Sequence, residues 1–290
     1  MRILVIGGGG MLGHQFCRSW RDTHEVWATL RHGVPPGLDD LPPERFLTGV
    51  DVRRLGDVVG AVAAARPDAI VNAVGIVKQR AAAREHIPSV EVNALFPHEL
   101  ARVAAAAGAR LVHLSTDCVF SGRKGRYVEG DVPDPVDLYG RTKLIGEVGD
   151  SPHCLTLRTS IIGLELATRE GLVEWFLAQR GRIRGYRRAI YSGLTTPEMA
   201  RAIDHFLRLD PGLCGTWHLA SEPIDKHALL SSLLARLQPR EVQIEPDDGF
   251  ACDRSLDGSA IAARSSYRVP PWDGMLDELS ALIRRREREA

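Results

Sequence analysis

The sequence predicts an α/β fold, a doubly wound parallel sheet with a smaller C-terminal α+β lobe. Three observations predict it. Short apolar, β-branched runs alternate with helical patterns through the first half of the chain. These runs are apolar throughout rather than alternating, as in strands covered on both faces. A glycine-rich segment directly follows the first run and opens the first helix.

In chain order, the candidate strands are residues 3–6, 26–30, 69–73, 111–114 and 154–157. Helical patterns at 11–20, 54–65, 90–107 and 138–148 fall between them. "PDAIVNAVG" and "GARLVHLSTD" each place a turn residue before an apolar strand. The second half is less regular. Helices are expected at 171–179, 197–209, 226–237 and 274–285, with short strands at 188–191 and 215–219. Residues 238–254, rich in Pro, Asp and Gly, read as a loop. The expected division is 1–160 for the sheet domain and 161–290 mainly for the second lobe. A segment near 188–210 is expected to return to the first domain.

At 290 residues the chain can bury a sizeable core, and its 44% apolar and 26% charged content is ordinary for a globular protein. The 37 basic and 37 acidic residues cancel, so no global field favours nucleic acid or an anionic membrane. No run is long and apolar enough to suggest a membrane span, and the N-terminal apolar run is too short for a signal peptide. The five Cys are scattered without a C-x-x-C, which argues against a disulfide framework or zinc site and fits a reducing cytoplasm.

"ILVIGGGGMLGHQF" places Gly7, Gly10 and Gly13 at G-x-x-G-x-x-G spacing, with Met11 and Leu12 between. A pyrophosphate needs close backbone approach and the free N–H groups of a helix N-terminus, so the segment predicts a dinucleotide site on a Rossmann-type sheet. The second strand ends in "ATLRHG". Asp or Glu there suits a ribose 2′-OH and Arg a 2′-phosphate, so Arg31, joined by His32, points to NADP, with NADPH preferred and NAD as the alternative. In "TGVDV", Asp51, followed by Val52, is a candidate for the adenine amino group or else a helix cap.

"HLSTDCVFSG" puts Ser115, Thr116 and Asp117 just past the carboxyl end of a strand, where open parallel sheets bind ligands. About twenty residues later "YGRTK" opens a helix, with Tyr139 and Lys143 at i and i+4 on one face. The set suits carbonyl reduction. Tyr139 would protonate the developing alkoxide, Lys143 would lower the Tyr pKa and hold a ribose, and Thr116 would donate a second hydrogen bond. Further on, "QRGRIRGYRRAIY" crowds Arg182, Arg184, Arg187 and Arg188 into one stretch, either a diphosphate site or a salt-bridged surface. Trp175 and Phe176, just before, read as core.

The glycine loop, "IVNAVG", "STDCVF", "YGRTK" and "LRTS" together resemble an extended short-chain dehydrogenase/reductase of the dTDP-4-dehydrorhamnose reductase group. The resemblance runs through most of the chain and weakens after about residue 210. It implies a Thr116–Tyr139–Lys143 triad, cofactor contacts at Ala73, Val74 and Gly75, and reduction of the 4-keto group of a nucleotide-linked 6-deoxyhexose. It further implies that the lobe carrying Arg184 and Arg188 contacts the sugar nucleotide, beside Asp117. Two positions depart from the group and could shape the sugar pocket: Cys118, often Tyr, and Ile161, often an aromatic. Some members bind Mg²⁺ at a dimer interface through an acid of the first helix; Gln15 stands there, so no metal is expected, and a homodimer stays open. Two other readings remain. A non-catalytic regulator resembling the methionine adenosyltransferase regulatory subunit shares the motifs. An epimerase-reductase resembling GDP-L-fucose synthase would explain Cys118 but needs a second acid/base, and no His lies between His153 and His205.

Overall fold

A computed structural model describes residues 1–77 and 85–289. The chain alternates strand and helix through its first half. It runs β1 (Arg2–Ile6), α1 (Met11–Trp20), β2 (Glu25–Leu30), β3 (Phe46–Thr48), α2 (Leu55–Ala65) and β4 (Ala69–Asn72). Next come α3 (His86–Ser89), a π turn (Val90–Leu95), α4 (Phe96–Ala106), β5 (Arg110–Leu114), α5 (Leu138–Ile145) and β6 (Cys154–Arg158). The second half continues with β7 (Ile161–Ile162), α6 (Leu172–Leu177), β8 (Gly181–Tyr191), β9 (Leu194–Thr195) and α7 (Thr196–Arg208). It ends with β10 (Gly215–His218), β11 (Ile224–Asp225), α8 (Lys226–Arg236), β12 (Val242–Asp253), α9 (Ser259–Ser265) and α10 (Trp272–Glu289).

Seven strands form one parallel sheet in the order β10-β6-β5-β4-β1-β2-β3. The chain winds outward from β1 through β2 and β3, then returns to place β4 on the other side of β1. The gap between β1 and β4 is the topological switch point, where ligands bind beyond the strand ends. Side-chain alternation shows why both faces are covered. Ile3 and Val5 enter one core with Phe16, Trp20, Ile203 and Phe206, while Leu4 and Ile6 enter another with Val58, Val62, Phe96 and Leu100. Each such side chain contributes ~1.5–3 kcal/mol on burial.

Beyond residue 190 the chain returns to this sheet. Helix α7 packs on α1, with Trp20 Nε1 donating to the Ala200 carbonyl at 3.1 Å, and β10 pairs with β6 as the seventh strand. A separate small core, including Val173, Phe176, Ile183, Leu230, Leu233 and Leu276, holds α6, α8 and α10 against a three-stranded sheet of order β11-β8-β12.

Two expectations need correction. Residues 238–254 are not loop: β12 runs over Val242–Asp253, pairing in parallel with β8. Its turn-forming Pro, Asp and Gly residues gather at a register shift between Asp247 and Ala251, where one extra stretch is accommodated without ending the strand. Trp175 is also not core. It is 39% exposed, while its neighbour Phe176 is buried.

Candidate active site

The glycine loop fits a pyrophosphate on structural grounds. Gly7 has φ +90°, and a Cβ on Gly13 would lie 2.0 Å from the Gly7 carbonyl oxygen, so the turn closes only with glycine at both positions. Gly10 is the N-cap of α1, with no side-chain cap and no acidic residue in the first turn, so the N–H groups from Met11 and Leu12 onward face the loop with the positive end of the helix dipole. A Cβ on Gly10 would sit in ordinary contact, 3.5 Å from the Gly7 carbonyl oxygen and 4.0 Å from that of Ala73. Ala73 N–H donates to the Ile6 carbonyl at 3.0 Å, which holds residues 73–75 alongside. Arg31, exposed at the end of β2, directs its Nε to His32 Nε2 at 3.2 Å and has no ion-pair partner among the described residues. Asp51 is committed elsewhere: Arg53 binds both carboxylate oxygens, at 2.6–3.2 Å, and this hydrogen bonding holds its pKa down to about 2. Val52 beside it is buried in the core.

Thr116, Asp117, Cys118, Tyr139 and Lys143 come together beyond the end of β5. Asp137 caps α5, accepting from Gly140 N–H at 2.8 Å, and so fixes where the helix bearing Tyr139 and Lys143 begins. The side chain of Thr116 accepts from Cys118 N–H at 3.1 Å and donates to Asp117 Oδ1 at 3.1 Å, which winds the 3₁₀ turn Asp117–Val119. A Cβ on Gly140 would lie 2.2 Å from the Cys118 carbonyl oxygen. That glycine lets α5 rest directly on the turn and brings Tyr139 to Thr116.

The electrostatics of the set follow from burial. Desolvation pushes the half-buried Tyr139 phenol above its usual range, with the Thr116 side chain acting the other way. The expected lowering by Lys143 is therefore not the net effect on Tyr139. Lys143 is 4% exposed, and its Nζ donates to the Leu114 carbonyl at 2.6 Å. Burial lowers its pKa to about 8, opposed by Glu147. Burial also raises Asp117, against the pull of Arg254, and pushes the Cys118 thiol up to about 12, so Cys118 is a neutral wall of the site.

Sequence reasoning missed three contributors. Asn93, within the π turn, spans Ile76 and α5: its Oδ1 accepts from Ile76 N–H at 2.9 Å, and its Nδ2 donates to the Ile76 carbonyl and to Thr142 Oγ1. A π turn in a long helix is a recognised mark of functional sites, but its geometry leaves no sequence signal. Gly140 was legible only as part of "YGRTK". Arg254, at the end of β12, donates Nε to the Phe120 carbonyl at 2.9 Å and Nη1 to Cys118 Sγ at 3.6 Å.

The arginine stretch behaves differently. It lies on β8, whose alternation turns Arg182 and Arg184 to solvent and Ile183 to the core. Arg182 pairs with Glu245, Arg184 with Asp247 and Arg187 with Asp248, all on β12. The salt-bridged surface describes these three. Arg188, exposed, has no ion pair among the described residues. Ile161 lies on β7, half-buried against the main core. Among the described residues no cluster of three or more His, Cys, Asp or Glu could hold a metal, and no helix is long and apolar enough to cross a membrane.

The comparisons with known proteins agree with this architecture. The family model described as RmlD substrate binding domain matches residues 1–245. The chain is 31% identical to the probable low-salt glycan biosynthesis reductase of Haloferax volcanii, over 77% of this chain and 75% of that one. It is 30% identical to methionine adenosyltransferase 2 subunit beta of Mus musculus, over 50% of this chain and only 41% of that protein. The solved dTDP-4-dehydrorhamnose reductase of Bacillus anthracis in complex with NADP superposes with a TM-score of 0.78 over 96% of this chain and 98% of that one, at 19% identity, a likeness of fold. The chain belongs to the RmlD substrate binding domain family, and with it to the extended short-chain dehydrogenases/reductases.

Proposed function

We propose that the protein is an NADPH-dependent reductase of the 4-keto group of a nucleotide-activated 6-deoxy-4-ketohexose, in deoxysugar biosynthesis. The observation that carries this is the joint placement of Thr116, Tyr139 and Lys143 beyond β5, with only β4 between that strand and β1, which leads into the glycine loop. The relatives named reductases, and the family match, support the sugar-nucleotide class.

When bound, the nicotinamide cofactor supplies the hydride. The chain supplies the rest. Gly7, Gly10 and Gly13, with the N-terminus of α1, hold the pyrophosphate, and Arg31 offers its guanidinium to a 2′-phosphate. Thr116 donates to the carbonyl oxygen and orients it. Tyr139 donates its phenolic proton to the same oxygen as negative charge develops there. The Lys143 ammonium, close at hand on the same helical face, stabilises the resulting phenolate and offers N–H groups to a ribose. Asp117, Cys118 and Ile161 shape the sugar pocket in this reading, and Arg188, without an ion pair among the described residues, is a candidate for the diphosphate.

Replacing Tyr139 by Phe tests the assignment. The expected result is a fall in kcat of roughly 10²–10⁴-fold with the NADPH dissociation constant nearly unchanged; an unaltered kcat would remove Tyr139 from the chemistry. The match to the methionine adenosyltransferase subunit keeps a regulator as the second reading. Tight NADPH binding with no oxidation by any of a panel of dTDP-, UDP- and GDP-linked 4-ketosugars would favour it.

A further inference from the structure

Helix α5 and the residues just past it are fastened to the end of β5 at three points, and the middle one carries no assigned chemistry. Lys143 Nζ donates to the Leu114 carbonyl at 2.6 Å. One residue on, Ser115 Oγ donates to Glu147 Oε1 at 2.6 Å. Beyond Thr116, Gly140 rests on the Cys118 carbonyl. Glu147 lies one turn past Lys143, and Arg158, at the end of β6, grips it with Nε to Oε1 at 2.9 Å and Nη2 to Oε2 at 2.7 Å. Both side chains are 8% exposed. Arg158 continues the chain of contacts: its Nη1 lies 3.4 Å from His218 Nε2, and its guanidinium sits 5.3 Å from the centre of the Phe120 ring. His218 Nδ1 faces the Tyr127 carbonyl at 3.0 Å, and its backbone N–H donates to Glu129 at 2.8 Å.

We propose that Glu147, locked by Arg158, is a positioning residue for the Tyr139–Lys143 pair. It registers the helix that bears the pair against the strand end that bears Thr116, and it supplies the negative charge that keeps the buried Lys143 ammonium protonated. A bidentate buried pair fixes geometry more tightly than a single bond, and a misplacement of about an ångström at a reacting centre can cost ~10²-fold. The surroundings leave this electrostatic role to Glu147. His113, on β5, faces the same ammonium but is fully buried and held neutral by desolvation. The other titratable groups around α5 are Asp117 and Cys118 on the 3₁₀ turn, Asp137, Tyr139 and Arg141 on α5 and its cap, His86, Glu91 and His98 on the segment packed behind it, and Arg158 and His218 on the neighbouring strands. Among all of these, Lys143 feels Glu147 as its one opposing charge.

The catalytic consequence rests on the reductase reading, so the primary test does not use turnover. The chain has four lysines, at 78, 124, 143 and 226, so lysine-selective ¹³Cε labelling yields few resonances, and K143R assigns that of Lys143. E147Q alone strands a buried guanidinium and is expected to fold poorly. E147Q/R158M removes both charges and is the variant to titrate. The expected result is a Lys143 midpoint lower by on the order of one pH unit, tenfold in its ionisation constant, with Lys124 and Lys226 unmoved. An unmoved Lys143 midpoint overturns the electrostatic half. S115A keeps every charge and removes one fastening; with 4-ketosugar substrate, it is expected to lower kcat roughly tenfold with the NADPH dissociation constant within about twofold. A wild-type kcat for S115A overturns the positioning half. A shifted Lys143 titration in a protein whose wild type turns over no ketosugar would leave the inference standing and remove the reductase reading.

Discussion

Lys143 is 4% exposed, and burial lowers its pKa to about 8 from the ordinary lysine value of 10.5. Between those two values the folded chain binds fewer protons at this site than the unfolded one. Stability therefore rises with pH across that window, and the full penalty of the buried charge is felt below about pH 8. Denaturant titrations of wild type and K143M measure this directly. The difference between them is expected to change by on the order of 3 kcal/mol from pH 7.5 to 10.5. Taking the difference cancels the opposite drift from Cys118 and Cys154, whose raised thiols lose stability as pH rises. A pH-independent difference would mean that Lys143 is not desolvated in solution. Arg31 makes a second residue-scale case. Among the described residues its side chain hydrogen-bonds to His32 and to no carboxylate, so a 2′-phosphate need not displace one to reach it. Arg31→Asp is expected to shift the NADPH:NADH ratio of kcat/KM toward NADH by at least tenfold, measured with one substrate; an unchanged ratio would leave Arg31 a surface residue.

Helix α5 shows how an element can be built for placement rather than stability. Its eight residues include Gly140, which costs about 1 kcal/mol in a helix interior relative to Ala. By propensity alone, Gly140→Ala should stabilise. The Cys118 carbonyl, 2.2 Å from the new Cβ, reverses that expectation. Gly140→Ala should lower the melting temperature and reduce kcat more than tenfold while NADPH still binds, since the helix must lift from the Thr116 turn. In α2, Gly60 meets nothing within 4 Å, and Gly60→Ala there should gain about 0.5–1 kcal/mol with kcat unchanged. Equal effects at the two positions would show that α5 has slack. The same contrast explains what was legible in the sequence. Thr116, Tyr139, Lys143 and the glycine loop stand out because their chemistry is written in short local spacing. Asn93, Glu147, Arg158 and Arg254 act through partners far along the chain, and no local pattern marks them. Strand β12 reads as loop in the sequence because Pro246, Asp247, Asp248 and Gly249 are turn formers, and only pairing with β8 shows the first two to be in register and the last two to lie in a bulge.

At the scale of the molecule, the sheet and the smaller lobe meet where Arg254 crosses between them. It leaves the end of β12, whose residues pair with β8, and reaches the Phe120 carbonyl and Cys118 Sγ beyond β5. No carboxylate among the described residues lies within ion-pair distance of it, yet it is half-buried. A half-buried guanidinium with spare N–H donors beside the Thr116 turn is suited to an oxygen-rich ligand, whereas Arg184 is exposed and already paired with Asp247. The two arginines therefore make opposite predictions. Arg254→Ala should raise KM for the nucleotide sugar at least tenfold, with the NADPH dissociation constant unchanged, because its hydrogen bonds go to Phe120 and Cys118 rather than to the glycine loop. Arg184→Ala should alter neither constant by more than about twofold, since an exposed pair contributes ~0–1 kcal/mol. Steady-state kinetics on both variants decide the point. A raised KM for Arg184→Ala with none for Arg254→Ala would move the nucleotide from the lobe junction to the outer face of β8.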